Sequence, residues 1–285
     1  LGVAAILAKR GATSGWIIRV SGGSESRMDL GALGHCGFES SPCHSCAAAK
    51  RNTVCSGIVN LAGDIEMKLG CAIEYAGRSV EIPIERIKRL EKLGYDSVWT
   101  AEAYGSDAIT PLAFVAAHTD KIRLGTGVIQ VGARTPTMTA MQLATVDQLA
   151  GGGRVIGGLG LSGPQIVEGW YGTPWGKPKD RLRDYVTIIN KVFAREGPVS
   201  HDGPEIRLPY DGPGSAGMGK PLKSILHFDQ KPKIWLGTGA PEMVKLTAEL
   251  ADGWLAFGMR PGNVDTFKGW FEEGFARAGN GKGYD

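Results

Sequence analysis

The stretch that decides the fold is "RLGTGVIQVGARTPTMTAMQLATVDQLAGGGRVIGGLG", residues 123–160. It begins with an apolar run that predicts a buried β-strand, and the run then changes to glycine, glutamine and arginine. Thr135 and Pro136 are residue types that begin helices, and the segment after them predicts a helix that ends at a run of glycines. A second apolar run, "RVIGGLG", predicts another strand. The pattern therefore indicates strand, helix and strand, the repeating unit of a parallel sheet.

The same alternation extends over the chain from Met67 onward. The six predicted strands are residues 67–75, 95–105, 121–131, 154–163, 232–239 and 252–258. These strands are almost continuously apolar, which is typical of a parallel sheet covered on both faces. A glycine- and proline-rich excursion at 197–231 interrupts the rhythm, and "VSHDGPEIRLP" within it predicts a hairpin. Its length exceeds that of ordinary connections in α/β units, so we expect it to be functional or partly mobile.

Two architectures fit this alternation: a doubly wound open sheet, or a (β/α)8 barrel. The unit count does not separate them, but the placement of polar residues does. Polar residues occur at the carboxyl ends of the predicted strands, namely Glu74, Glu102, Gln130, Ser162 and Thr238. In a barrel these ends converge on one mouth, where active sites lie. A dinucleotide-binding sheet requires a glycine fingerprint after its first strand, and "IEYAGRSVE" lacks one. We therefore predict a TIM-like (β/α)8 barrel of which about six units are present, truncated at the carboxyl end.

Residues 1–66 differ from the rest of the chain. They show no sustained period, are rich in glycine, serine and alanine, and hold four of the five cysteines, Cys36, Cys43, Cys46 and Cys55. The two-residue spacing of Cys43 and Cys46 is that of zinc knuckles, but no second closely spaced pair accompanies it. We predict no metal site, an upstream or disordered extension over 1–66, and a barrel domain over 67–285.

Charge and hydropathy exclude two classes of partner. The 32 basic and 29 acidic residues are mixed along the chain and give a net charge of +3, so no basic stripe for nucleic acid is visible. No apolar run approaches the roughly 20 residues needed to span a bilayer. We expect a soluble, cytoplasmic protein.

Two glycine-rich stretches follow predicted strands. In "IWLGTGAPEMVKL", residues 234–246, Gly237 and Gly239 allow close backbone approach, and a helix beginning at Pro241 offers free N–H groups to an anion. In "GGLGLSGPQIVEGWYG", residues 157–172, glycine leaves out side chains that would fill a barrel lumen and so makes room for a flat ligand. The alternatives are an ordinary tight turn and close strand packing, respectively.

Two carboxylates near these loops are candidates for moving protons. Glu102 follows the second predicted strand, and Glu168 lies in the loop after the fourth. The alternative is that each is a solvated or capping glutamate. No Ser-His-Asp order, HExxH pair or Walker loop is present.

Three stretches carry a resemblance to a known family: "GYDSVWTAEAYGSDAITPLAF", the segment from Arg123 to Gly172, and "IWLGTGAPEMVKLTAELADGWL". From Met67 to the end, the chain resembles the luciferase-like monooxygenase superfamily, in particular its branch of coenzyme F420-dependent oxidoreductases. The resemblance implies a TIM-like barrel that holds the deazaflavin F420, or FMN in sister groups, at its carboxyl-terminal mouth.

The resemblance also implies where the cofactor lies. In such proteins the third strand carries a bulge that supports the deazaflavin, often with a non-proline cis peptide, and Gly127-Val128 occupies that place. Gln130 stands beside it at the rim. The cofactor phosphate falls on the loop after the fifth strand, at Gly237, Thr238, Gly239 and Ala240. The ring and substrate are bordered by the second-strand end at Glu102 and Ala103 and by the fourth-strand end at Ser162 and Gly163.

We therefore predict an F420-dependent oxidoreductase that transfers a hydride between the deazaflavin and a small organic substrate, and we expect a homodimer. The alternatives are an FMN-dependent monooxygenase and a non-catalytic flavin-binding relative. Related sugar-phosphate dehydrogenases place an acid-histidine pair where this chain has Glu102-Ala103, and a glutamate where it has Ser162-Gly163, which argues against sugar-phosphate oxidation. The family continues well past a point like Asp285, so we expect the last two strands to be missing.

Overall fold

The computed structural model describes residues 3–7, 16–20, 68–73, 78–227, 229–279 and 281–284, the first two ranges as backbone alone. The strands are β1 (Val3–Leu7), β2 (Trp16–Val20), β3 (Lys68–Ala72), β4 (Ser97–Thr100), β5 (Arg123–Thr126), β6 (Ile129–Gln130), β7 (Val155–Gly160), β8 (His201–Asp202), β9 (Arg207–Leu208), β10 (Lys233–Thr238) and β11 (Gly253–Ala256). The helices are α1 (Ile84–Lys92), α2 (Thr110–Ala116), α3 (Pro136–Leu149), α4 (Pro164–Val167), α5 (Pro178–Ala194), α6 (Pro241–Leu250) and α7 (Val264–Ala278).

The predicted parallel sheet is confirmed. Strands β3, β4, β5, β7, β10 and β11 pair in parallel, each with the next, and helices connect them. Strand β6 continues the line of β5 after a two-residue break and pairs with β7. All carboxyl ends of these strands therefore lie at the same edge of the curved sheet, as in a TIM-like barrel.

Two strands of the N-terminal extension join this sheet, although no sustained period in residues 1–66 predicted them. Strand β1 runs parallel to β11, and β2 runs antiparallel to both β1 and β3, so the two strands stand between the ends of the parallel sheet. The four cysteines of the extension and Glu74 lie outside the described residues. Whether residues 1–66 are an upstream extension stays a prediction.

The apolar core of the described residues has two main parts, one on each face of the strands, and a third, small cluster of Val244, Trp254, Ala256 and Phe267 between β11 and the helices α6 and α7. The larger part lies between strands and helices and includes Leu124, Leu143 and Tyr185. The smaller part fills the inside of the curved sheet with Trp99, Ile156, Trp235 and Leu255, against which Val128 packs. Because residues alternate between the two faces of a strand, the inward positions nearest the carboxyl edge are the ones that can line a mouth.

Local signals of the sequence are found where expected. The side chain of Thr135 caps α3 by accepting a hydrogen bond from Met138 N at 3.3 Å. Strands β8 and β9 pair antiparallel as the predicted hairpin in the excursion. No helix among the described residues is long and apolar enough to cross a membrane.

Candidate functional site

The strand predicted over residues 121–131 is interrupted at the place that the resemblance indicated. Strand β5 ends at Thr126, β6 begins at Ile129, and the peptide bond between Gly127 and Val128 is cis, which confirms that prediction. Gly127 and Val128 are half-buried, whereas Thr126 and Ile129 on either side are completely buried. The break therefore brings two residues of a buried strand to the surface of the mouth.

The side chain of Val128 lies between glycines of two neighbouring strands. A Cβ atom added to Gly160 of β7 would lie 2.5 Å from Val128 Cγ2, and one added to Gly237 of β10 would lie 2.8 Å from Val128 Cγ1. The space beside these glycines is thus filled by protein. Gly158 of β7 is equally close to its neighbours, because a Cβ atom added there would lie 1.9 Å from Thr126 O. The expectation that the glycines of β7 leave room for a flat ligand is therefore wrong. Close packing explains these glycines.

Glu102 is buried just after β4, and both oxygens of its carboxylate are hydrogen-bonded. Oε1 accepts from Gln130 N at 2.7 Å and from Arg134 Nη1 at 2.8 Å. Oε2 accepts from Ala108 N at 3.0 Å and from Arg134 Nη2 at 2.9 Å. Through these bonds the carboxylate links Ala108, Gln130 and Arg134. The catalytic role of Glu102 stays a prediction.

Arg134 completes this cluster and was not among the predicted site residues. Burial lowers the pKa of its guanidinium, but the hydrogen bonds and charge of Glu102 outweigh that effect and raise the pKa, so the group stays charged. The backbone of Arg134 is held in turn by α5, since Tyr185 Oη donates to Arg134 O at 3.1 Å. A charged residue just beyond the carboxyl end of a predicted strand was the signal that could have identified it.

The loop after β7 reaches back over the end of β4. Tyr171 Oη donates to Ala103 O at 2.9 Å. Burial, followed by the charge of Glu102, raises the pKa of Tyr171, so its hydroxyl stays protonated at neutral pH. Glu168 is exposed and accepts a hydrogen bond from Trp175 N at 3.3 Å, within its own loop. The structure therefore brings Tyr171, rather than Glu168, to the Glu102 cluster.

Ser162 and Gly163 begin this loop. Ser162 is exposed and has φ of 61°, a left-handed conformation that a residue other than glycine rarely adopts. Gly163 is the N-cap of α4, and no side chain caps that helix. Such conformations cluster at functional sites, which makes Ser162 a candidate for contact with a ligand.

The loop after β10 presents backbone rather than side chains. Thr238 is buried, and its hydroxyl bonds Thr247 Oγ1 of α6 at 2.8 Å. Trp254 Nε1 donates to Thr238 O at 2.8 Å. Gly239 is half-buried, and Ala240, the N-cap of α6, is exposed and supplies no capping side chain. Pro241 has no N–H group, and Met243 N and Val244 N both donate to Ala240 O, so Glu242 N is the backbone group within the first turn of α6 that suits an anion, and the Thr238 hydroxyl does not.

The described residues hold no group of three or more His, Cys, Asp or Glu side chains placed to share a metal ion. Together, a parallel β/α barrel and a mouth built on its carboxyl ends define the class of protein. The family model described as luciferase-like monooxygenase matches residues 68–283, and the chain belongs to that family.

Individual relatives are similar over more than two thirds of the chain. A Mycobacterium tuberculosis protein, provisionally named a coenzyme F420-dependent oxidoreductase, is 47% identical over 75% of this chain and 62% of its own length. The 5,10-methylenetetrahydromethanopterin reductase of Archaeoglobus fulgidus is 29% identical over 69% of this chain and 55% of its own. The solved structure of coenzyme F420-dependent tetrahydromethanopterin reductase from Methanopyrus kandleri is 25% identical, with a TM-score of 0.56, over 69% of this chain and 57% of its own. The chain thus spans about 55–62% of the length of these relatives.

Proposed function

We propose that the full-length protein is a coenzyme F420-dependent oxidoreductase that acts on a small organic substrate. The observation that carries the proposal is the half-buried Gly127-Val128 segment, which is set among the ends of β4, β7 and β10 in a chain similar to relatives named for F420. The chemistry that F420 supplies when bound is hydride transfer. The chain supplies binding, orientation and protection from water.

The residues at the mouth fit a planar cofactor that carries an anionic group. Gly127 and Val128 offer a surface that is small and apolar, and Ser162 and Gly163 stand exposed or half-buried at the end of the adjacent strand. Gln130 Oε1 is a buried acceptor without a partner among the described residues. The uncapped start of α6, reached through Gly237, Gly239 and Ala240, would hold the phosphate.

Two glutamates near the mouth are candidates for proton transfer. Glu168 is exposed, so its carboxylate is open to exchange a proton with solvent or substrate. Glu102 has both oxygens engaged by Arg134 and by backbone N–H groups. We propose Glu168 as the more available acid and test both residues through the Glu168→Gln and Glu102→Gln variants. A proton-transfer role predicts a changed pH profile of turnover at unchanged cofactor affinity.

Spectroscopic titration of the full-length protein with F420, and separately with FMN, tests the cofactor. Deazaflavin and flavin differ in absorption band position, and the reduced flavin reacts readily with oxygen whereas the reduced deazaflavin does not. We expect saturable binding of F420 and slow oxidation of its reduced form by air. Binding of FMN instead, with rapid oxygen consumption, would identify the monooxygenase alternative. Binding without turnover of any substrate would favour the non-catalytic relative.

A further inference from the structure

The cluster around Glu102 connects four separate points of the mouth. Its carboxylate joins the segment just before α2, through Ala108 N, to the end of β6, through Gln130 N. The guanidinium of Arg134 faces both carboxylate oxygens at 2.8 and 2.9 Å, so the pair has bidentate geometry. The side chains of the pair are 15% and 3% exposed, so water screens them little.

Gln130 is held by this cluster at two atoms. Its backbone N–H donates to Glu102 Oε1, and its side-chain Nε2 donates to the backbone oxygen of Glu102 at 2.8 Å. The second bond fixes the orientation of the amide, which leaves Oε1 as a buried acceptor without a partner among the described residues. A buried acceptor is costly to leave unpaired, so this atom is suited to a donor group of a bound molecule.

The direction of the Gln130 side chain follows from its neighbours. Ile129 belongs to the core between strands and helices, and Val128 packs on the core inside the sheet. Since successive residues of a strand face opposite sides, Gln130 faces inward on the same side as Val128. The cluster around Glu102 therefore holds the segment that we propose as the cofactor surface.

We propose that Arg134 is a positioning residue that, through Glu102, holds the 127–130 segment and aims Gln130 Oε1 at an N–H or O–H donor of bound F420. This inference rests on the proposed function. Arg134 itself need not touch the cofactor; its effect passes through the carboxylate that accepts Gln130 N. Replacing Arg134 by methionine keeps much of the side-chain volume but leaves Glu102 with two of its four hydrogen bonds.

The chain offers a matched control at the amino-terminal ends of β4 and β5. Arg123, the first residue of β5, forms an ion pair with Asp96, immediately before β4, and the two side chains are 27% and 18% exposed. This pair is at the opposite edge of the sheet from the mouth. Arg123→Met therefore removes an arginine-carboxylate pair between β4 and β5 without touching the 127–130 segment.

The experiment measures the dissociation constant for F420 by fluorescence titration and the Tm for wild type, Arg134→Met, Arg123→Met and Glu102→Gln/Arg134→Met. We expect Arg134→Met to raise the dissociation constant by about tenfold or more. Arg123→Met should lower the Tm but leave the dissociation constant within about twofold of wild type. The double variant should regain part of the Tm lost in Arg134→Met, because it buries no unpaired charge, but only part, because its amide nitrogen must face Ala108 N or Gln130 N; its affinity stays low.

Hydrogen exchange of the peptide that covers 127–134, measured without cofactor, supplies a second readout. We expect faster exchange in Arg134→Met and wild-type exchange in Arg123→Met. If wild type binds F420 and Arg134→Met binds it equally well, the inference is overturned and the proposed function stands. If wild type does not bind F420, the proposed function fails, and the inference fails with it. If the double variant regains both its Tm and its affinity for F420, Arg134 acts only by stabilising the fold. That result would overturn its positioning role.

Discussion

At Tyr185 one hydroxyl group ties α5 to the start of α3. Its Oη lies 2.6 Å from Thr139 Oγ1 and donates to Arg134 O at 3.1 Å. The side chain is 1% exposed. Burial, against the opposing effects of the Thr139 hydrogen bond and the Arg134 charge, raises the pKa of Tyr185 from 10.0 to about 12. The hydroxyl is therefore both a structural link and a group whose ionisation opposes folding.

The first prediction is that Tyr185→Phe lowers stability in a pH-dependent way. The pKa of Tyr185 is higher in the folded protein than in the unfolded chain. The stability that its hydroxyl contributes is therefore complete below pH 10 and is lost as the pH rises through about 12. We expect wild type to be more stable than Tyr185→Phe by about 1–2 kcal/mol near pH 8. That advantage should shrink above pH 10. Urea unfolding at several pH values measures it.

Tyr210→Phe is the control for this variant, because Tyr210 is exposed and its hydroxyl donates to Pro213 O within a surface loop. We expect its stability to stay within about 0.5 kcal/mol of wild type. A difference between wild type and Tyr185→Phe that does not change with pH would contradict the raised pKa of Tyr185.

At the scale of elements, Asp184 of α5 holds the β8–β9 hairpin. Its Oδ1 lies 3.0 Å from His201 Nε2, and its Oδ2 accepts from Glu205 N and Ile206 N, each at 2.9 Å. The Asp184 side chain is 3% exposed. The hairpin was predicted from its turn residues, but its anchor was not, because the anchor lies on the preceding helix and meets the hairpin only when both fold.

The second prediction is that Asp184→Asn loosens this hairpin. The amide is neutral, so the bonds from Glu205 N and Ile206 N lose their charge assistance, and the amide nitrogen keeps a partner only where His201 Nε2 accepts. We expect a loss of about 1–3 kcal/mol in the free energy of unfolding and faster hydrogen exchange over residues 201–208. Asp202→Asn, on the hairpin itself, changes an exposed carboxylate that pairs with Arg207 at the surface. Equal effects of the two variants would be inconsistent with an anchoring role for Asp184.

At the scale of the whole molecule, the ends of three strands meet at Val128. Its methyl groups occupy the positions that side chains on Gly160 and Gly237 would take. These contacts join β7 and β10 to the segment between β5 and β6, on the inside of the curved sheet. The close fit explains why two strands carry glycine at positions that would ordinarily be large and apolar.

The third prediction is that Gly160→Ala destabilises the protein and that Val128→Ala rescues it. A methyl group on Gly160 meets Val128 Cγ2 at 2.5 Å in a packed interior. We expect a loss of about 1–3 kcal/mol for Gly160→Ala. In Gly160→Ala/Val128→Ala the atom at position 128 nearest to the added methyl carbon is Cβ, at 3.3 Å. The loss of stability in the double variant should therefore be smaller than the sum of the losses in the two single variants. Additive losses, measured by denaturant unfolding, would mean that the two side chains do not compete for one space.

The order of strands and helices could be read from the sequence, because it depends on local patterns. Apolar runs, the Thr135 cap and the glycines after α3 act within one or two turns of the chain. These signals also placed the polar strand ends at one edge of the sheet. They indicated candidates such as Glu102, Gln130 and Thr238, but not what their side chains contact.

Only the tertiary structure decided those contacts. Arg134 is 32 residues from Glu102, and Val128 meets Gly160 and Gly237 from two other strands. The hydroxyl of Thr238 bonds Thr247 of α6 rather than facing the mouth. Such pairs depend on the register and curvature of the whole sheet, which no local pattern specifies. The sequence by itself therefore determined the barrel units and the edge that carries the site, and packing between distant strands decided which side chains are free to bind.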